Sequence, residues 1–161
     1  MSTWAEVEKE VPELAERVRR VFDAHKHKTM ATLRADGAPR ISGTEASFFG
    51  DDLWIGSMPD ARKGADLKRD PRFALHSATV DPEMVEGDAK ISGRFEIATS
   101  GQFAAYMQHL NDNDDPAPED FDLFRADIDE VVFLTVPAGA DYLLIETWNE
   151  GRNGLRRIER R

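Results

Sequence analysis

The sequence contains no cysteine. Disulfides, thiolate metal sites and cysteine nucleophiles are thereby excluded, while histidine, methionine and carboxylate chemistry stay open. No apolar run approaches the ~20 residues needed to span a bilayer, and no charged-then-apolar leader precedes the first helical pattern. A cytoplasmic location without membrane contact is therefore expected. Positive charge is in deficit: 21 Lys and Arg stand against 31 Asp and Glu, for a formal net charge of −10. That balance disfavours nucleic-acid binding, which depends on neutralising phosphates, although a local basic patch can still hold one small anion. Internal repeats with a period of about 20 to 50 residues and low-complexity tracts are also missing.

What is present suits one water-soluble domain. The 161 residues suffice for one real core and are too few for two. The expected organisation is a single domain over 1–161, with an N-terminal helix in 1–27, a barrel with inserted helices in 28–149 and an arginine-rich tail in 150–161.

The most informative stretch is DLWIGSMPDARKGADLKRDPR, Asp52 to Arg72. Leu53, Trp54 and Ile55 begin it as a strand, and Pro59-Asp60 breaks that strand. A helix from Ala61 to Lys68 should follow, with Asp60 as its N-cap and Asp70-Pro71 as its end. Arg62 and Lys63 then fall in the first turn, where free N–H groups and the helix dipole prefer anions. Two cations there need a reason. A bound phosphate would supply one, because donors, dipole and both side chains would converge on it. The alternative is a solvated basic turn paired with Asp60 and Asp66.

Around this stretch the pattern is mostly strand and hairpin. Residues 2–24 read as an amphipathic helix with a break near Pro12, capped by Thr3 with Glu6 completing a capping box. Thr29 to Leu33, a turn at Asp36-Gly37, and Arg40 to Phe49 form a hairpin, and the strand at Leu53 extends it to a three-stranded meander. Alternation places Lys28, Thr32 and Arg34 on one face. Phe73 to Thr79 is a strand carrying His76, and Asp88 to Ala98 is another, in which Gly93 marks a bulge or a close approach. Residues 100–111 form a second amphipathic helix capped by Ser100. The acidic segment through Asp127 lacks the glycine and glutamate of an EF-hand, so a solvated loop is expected. Val131 to Val136 and Asp141 to Trp148 are apolar strands, and Gly151 to Arg161 is an arginine-rich tail. The fold class expected is mainly β (α+β): an antiparallel split β-barrel of about six to seven strands with peripheral helices.

Three runs carry a family resemblance: KTMATLRADGAPRISG, DLWIGSMPDARKGADLKRDPR and DAKISGRFEIA. Together they resemble the flavin-binding split barrel of the pyridoxamine 5′-phosphate oxidase family, over Lys28 to Val136. The resemblance implies that Arg62 and Lys63 contact a flavin phosphate. It implies ring contacts from Gly56, Ser57 and Met58 at the end of the third strand. It assigns further ring and phosphate contacts to Thr29, Met30, Ala31 and Arg34. It also implies a homodimer holding the cofactor between subunits and a small-molecule substrate. Ala61 stands where the family often has serine, which removes one hydroxyl donor. The C-terminal ETWNEGRNGLRRIER has no histidine, so oxidation of the vitamin is not implied.

Flavin mononucleotide (FMN) is the expected cofactor, because the short Arg-Lys grip is shared with flavin oxidases. Deazaflavin coenzyme F-420 is the alternative; its long polyanionic tail would ask for further basic residues, which Lys68, Arg69 and the tail arginines offer. A non-catalytic flavin or haem module, with His76, His109 or the pair His25 and His27 as ligands, stands as the competing class.

Overall fold

The computed structural model describes residues 2–161. Two helices come first, α1 (Trp4–Glu10) and α2 (Pro12–Asp23), followed by β1 (His27–Leu33), β2 (Pro39–Phe49) and β3 (Asp52–Ser57). Next are α3 (Arg62–Arg69), β4 (Arg72–His76), β5 (Asp88–Ile97), α4 (Ser100–Asp112), β6 (Asp122–Thr135), β7 (Leu143–Asn149) and β8 (Arg156–Arg160). The strands run β3-β2-β1-β4-β5-β6-β7-β8, and β3 also pairs with β6. That extra pairing closes six antiparallel strands into a barrel and leaves β7 and β8 as an extension.

The helix expected over residues 2–24 is two helices. Pro12 has no N–H to donate and starts α2, while Val11 leaves helical geometry at φ −136°. Thr3 and Glu6 do form the capping box. The apolar stripe of both helices, Trp4, Val7, Leu14, Val18 and Phe22, merges with Met30, Ile55, Leu75, Ile91 and Phe133 of the strands in one core. Trp4 Nε1 donates to Glu8 and Trp148 Nε1 to Glu10, both at 2.7 Å, so each indole is buried without orphaning its donor.

Other boundaries move for local reasons. α4 is capped by Thr99 in place of Ser100, because Thr99 and Gln102 make a reciprocal capping box. The acidic loop shrinks to residues 113–121, since β6 begins at Asp122, much earlier than Val131. Lys68, 2.8 Å away, forms an ion pair with the Asp122 carboxylate that argued against a strand there. The arginine tail is also partly strand: β8 pairs with β7, and Arg157 Nε reaches the buried Glu146 carboxylate at 3.0 Å. The ladder between β5 and β6 shifts at Ser92/Gly93, at the position marked by the glycine.

Candidate functional site

β3 ends at Ser57, and a short turn, closed by the Ala61 N–H donating to Met58 O at 3.0 Å, leads into α3. The helix lies hard against the strand end because residue 64 is glycine: a Cβ there would sit 2.8 Å from Ser57 Oγ. Asp66 fixes its orientation. The carboxylate accepts from Thr32 Oγ1 at 2.8 Å, Arg40 Nε at 2.7 Å and Arg69 Nη2 at 3.0 Å. Burial pushes this carboxyl up, but the donors from Arg40, Thr32 and Arg69 outweigh it and hold the pKa at about 2.

With Asp66 engaged elsewhere, it does not pair with the first turn of α3. The N-cap is Ala61, in place of Asp60; no side chain caps the helix, and the first turn contains no acid. Arg62 is exposed and makes no ion pair among the described residues. Lys63 Nζ donates to the carbonyl of Gly43 at 3.0 Å. Burial lowers the Lys63 pKa, opposed by the Glu45 charge.

Beside this helix end opens a cleft of about 760 Å³. Residues Gly43 to Phe48 of β2 form one side, Gly56, Ser57, Met58 and Lys63 one end, and Tyr106, His109 and Leu110 of α4 the opposite wall. The loop from Asp115 to Pro118, with Phe121, makes the rim, and Asp23 with His25 to Lys28 makes the far end. The α4 wall is well ordered by contacts: Tyr106 Oη shares a 2.7 Å hydrogen bond with Ser47 Oγ, and His109 stacks on Phe49 with centroids 4.4 Å apart. Burial raises the Tyr106 pKa, so this hydroxyl stays protonated and able to donate. Among the described residues no group of histidines and carboxylates could hold a metal ion. No helix among them is long and apolar enough to cross a membrane.

A family model described as pyridoxamine 5′-phosphate oxidase matches residues 14–135, from α2 to the end of β6. The chain belongs to the pyridoxamine 5′-phosphate oxidase family. No curated protein matches it. Among solved structures, a haem-binding protein from Mycobacterium smegmatis superposes with a TM-score of 0.62 at 19% identity, covering 92% of this chain and 58% of that one. HupZ from Group A Streptococcus gives 0.61 at 14% identity, over 76% of this chain and 94% of the other. HutZ from Vibrio cholerae, a haem storage protein, gives 0.52 at 16% identity, over 72% and 87%. At such identities these likenesses establish the shared barrel and no more.

Within this pyridoxamine 5′-phosphate oxidase barrel, the residues singled out from sequence divide into two groups. Gly56, Ser57, Met58 and Lys63 line the cleft, and Arg62 sits beside them on the same helical turn. Thr29, Met30, Ala31 and Arg34 do not line it. Met30 is fully buried in the core, Thr29 and Ala31 face outward from β1, and Arg34 lies in the hairpin after it. The side of the cleft comes from β2, whose Gly43 to Ser47 segment the sequence reading passed over. Its signal was present: a glycine inside a strand marks room for another group, and a Cβ at Gly43 would meet nothing within 4 Å. Of the histidines, His25, His27 and His109 line the cleft, whereas His76 lies elsewhere, bonded through Nδ1 to Ser77 O at 2.7 Å.

Proposed function

We propose that this chain is a flavin-dependent oxidoreductase that binds FMN in the β2–α3–α4 cleft and exchanges hydride or electrons with a small substrate. The observation that carries this reading is the uncapped, acid-free first turn of α3, with Arg62 and Lys63 on it, opening onto a cleft of suitable size. The residues fit the group: Arg62 and Lys63 would hold the phosphate, and Gly56, Ser57 and Met58 line the same end of the cleft for the remainder of the molecule. When bound, the isoalloxazine supplies the hydride chemistry. The chain's own part is to bind and orient it, to exclude water with the α4 wall and rim, and to offer the Tyr106 hydroxyl as a fixed donor.

FMN suits the site better than the longer deazaflavin. Of the cations offered for a polyanionic tail, Lys68 and Arg69 are committed to Asp122 and Asp66 and Arg157 to Glu146, and none of the tail arginines lines the cleft. Titration with FMN, followed by flavin fluorescence and visible absorbance, tests the reading directly. Arg62→Ala/Lys63→Ala should weaken FMN binding by about 2–3 kcal/mol, roughly 30- to 150-fold in Kd. Unchanged affinity would remove the phosphate assignment. A second reading, haem binding, is favoured by the three histidines lining the cleft. Haemin titration distinguishes it, since an axial histidine gives a Soret shift that substitution of His25, His27 or His109 abolishes.

The same reading makes the working unit a homodimer. Ile41 is 76% exposed on the outside of β2, and the cross-strand row it begins continues through Ala31, Ala74 and Ser92. Such a smooth, weakly polar face suits a second copy of the chain. Sedimentation should give a dimer, and Ile41→Lys should shift it towards monomer; a monomeric parent protein would refute this arrangement.

A further inference from the structure

Lys28 begins the inner face of β1 and is only 4% exposed, yet it lines the cleft. Its ammonium donates to two backbone carbonyls, Lys26 O at 3.2 Å and Ala46 O at 3.1 Å. Among the described residues it forms no ion pair; Asp23 and Glu45 act on it only at longer range. Tethering two carbonyls does not require a charge, and a buried ammonium without a carboxylate partner is costly. Burial accordingly lowers its pKa.

Its position along β2 gives that charge a use. Lys63 binds the carbonyl of Gly43, and Lys28 binds that of Ala46, three residues further on. The two carbonyls lie three residues apart, roughly 10 Å at about 3.3 Å per residue, so the two ammonium groups mark separate points along the β2 side of the cleft. A nucleotide whose phosphate sits at Lys63 and that extends along β2 would run in the direction of Lys28. Two-electron reduction of FMN by a hydride donor adds hydride at N5 and leaves one negative charge on the N1 and C2-carbonyl edge.

We propose that Lys28 is the group that receives this charge, and that it makes the site bind reduced FMN more tightly than oxidised FMN. The proposal rests on the FMN reading above. It differs from a purely structural role in one measurable respect. Loss of a tether weakens both redox forms alike, whereas loss of a charge weakens the reduced form selectively.

The test is the midpoint potential of FMN bound to the full-length protein, measured by dye-equilibrated reduction, with Kd for each redox form. Lys28→Met should weaken reduced FMN at least tenfold more than oxidised FMN, which lowers the potential of a two-electron couple by about 30 mV or more. Lys28→Gln retains a polar N–H donor without the charge and should give the same shift, so the result does not depend on Met being tolerated. Lys28→Arg should stay near the parent value. Equal weakening of both forms, or an unchanged potential in Met and Gln variants that still bind FMN, would overturn the role of Lys28 and leave the FMN reading intact. Failure of the parent protein to bind FMN would overturn both.

Discussion

Replacing Asp66 with alanine should destabilise the protein by about 3–5 kcal/mol, the scale seen when one partner of a buried charge pair is removed. Its side chain is 4% exposed and that of Arg40, the closest donor, is 18% exposed. Truncation would leave the Arg40 guanidinium half-sheltered with no counter-charge and Thr32 without its acceptor. It would also free α3, because Asp66 ties this helix to β1 through Thr32 and to β2 through Arg40. Urea unfolding measures the loss, and a change below about 1 kcal/mol would show that the network is not stabilising.

The same carboxylate predicts a pH dependence. Its folded pKa is about 2 against an ordinary 3.8. A depressed pKa means that the unfolded chain binds the proton more readily. The stabilisation is therefore complete above the ordinary value and lost as pH falls through it towards 2. At about 1.4 kcal/mol per unit the span amounts to roughly 2 kcal/mol. Asp70, held down by Arg72, titrates in the same range but is less buried than Asp66 and more open to salt screening. Asp66→Asn separates the two: it should flatten the low-pH limb of the stability profile, and an unaltered limb would assign it elsewhere.

Gly93→Ala should cost more than about 3 kcal/mol, beyond the usual range for one added methyl group. At the register shift between Ser92 and Gly93 the two chains approach so closely that a Cβ would overlap the carbonyl oxygen of Asp127, with the backbone N of Asp129 only 3.1 Å away. Both obstacles are main chain, so no side-chain rotation relieves them. β5 and β6 form the longest ladder of the barrel, from Asp88↔Leu134 to Ile97↔Phe124, and a shift there propagates along it. Gly101→Ala is the control, because nothing lies within 4 Å of its Cβ position and alanine favours a helix. If both variants melt together, close packing at the bulge is not what the glycine provides.

Much of the barrel was legible because its signals are local. The Asp36-Gly37 turn, the Thr3 and Glu6 cap, and the bulge at Gly93 each depend on residues that are neighbours in sequence. β8 and the first half of β6 were not legible, since their charged residues become strand only through distant partners: Glu146 for Arg157, Lys68 for Asp122. The cleft divides in the same way. The Arg62-Lys63 turn announces itself by placing cations where a helix disfavours them. The β2 side and the α4 wall are brought together only by tertiary pairing, Ser47 meeting Tyr106 across 59 positions of chain.

The packed core of the barrel has a corollary for the cleft. Trp4, Leu14 and Phe22 join the barrel strands in one packed core, and the open volume lies beside that core, between β2, the start of α3, α4 and the rim. The cleft nevertheless shares residues with the architecture: Ala46 and Phe48 pack into the main core, and Tyr106, Leu110 and Phe121 into the smaller cluster beside it. A new side chain at His109 or Leu110 that reshaped the cleft would therefore also disturb packing, through the Phe49 stack or the Trp54–Tyr106–Leu123 cluster, so shape and stability are tied together along this wall.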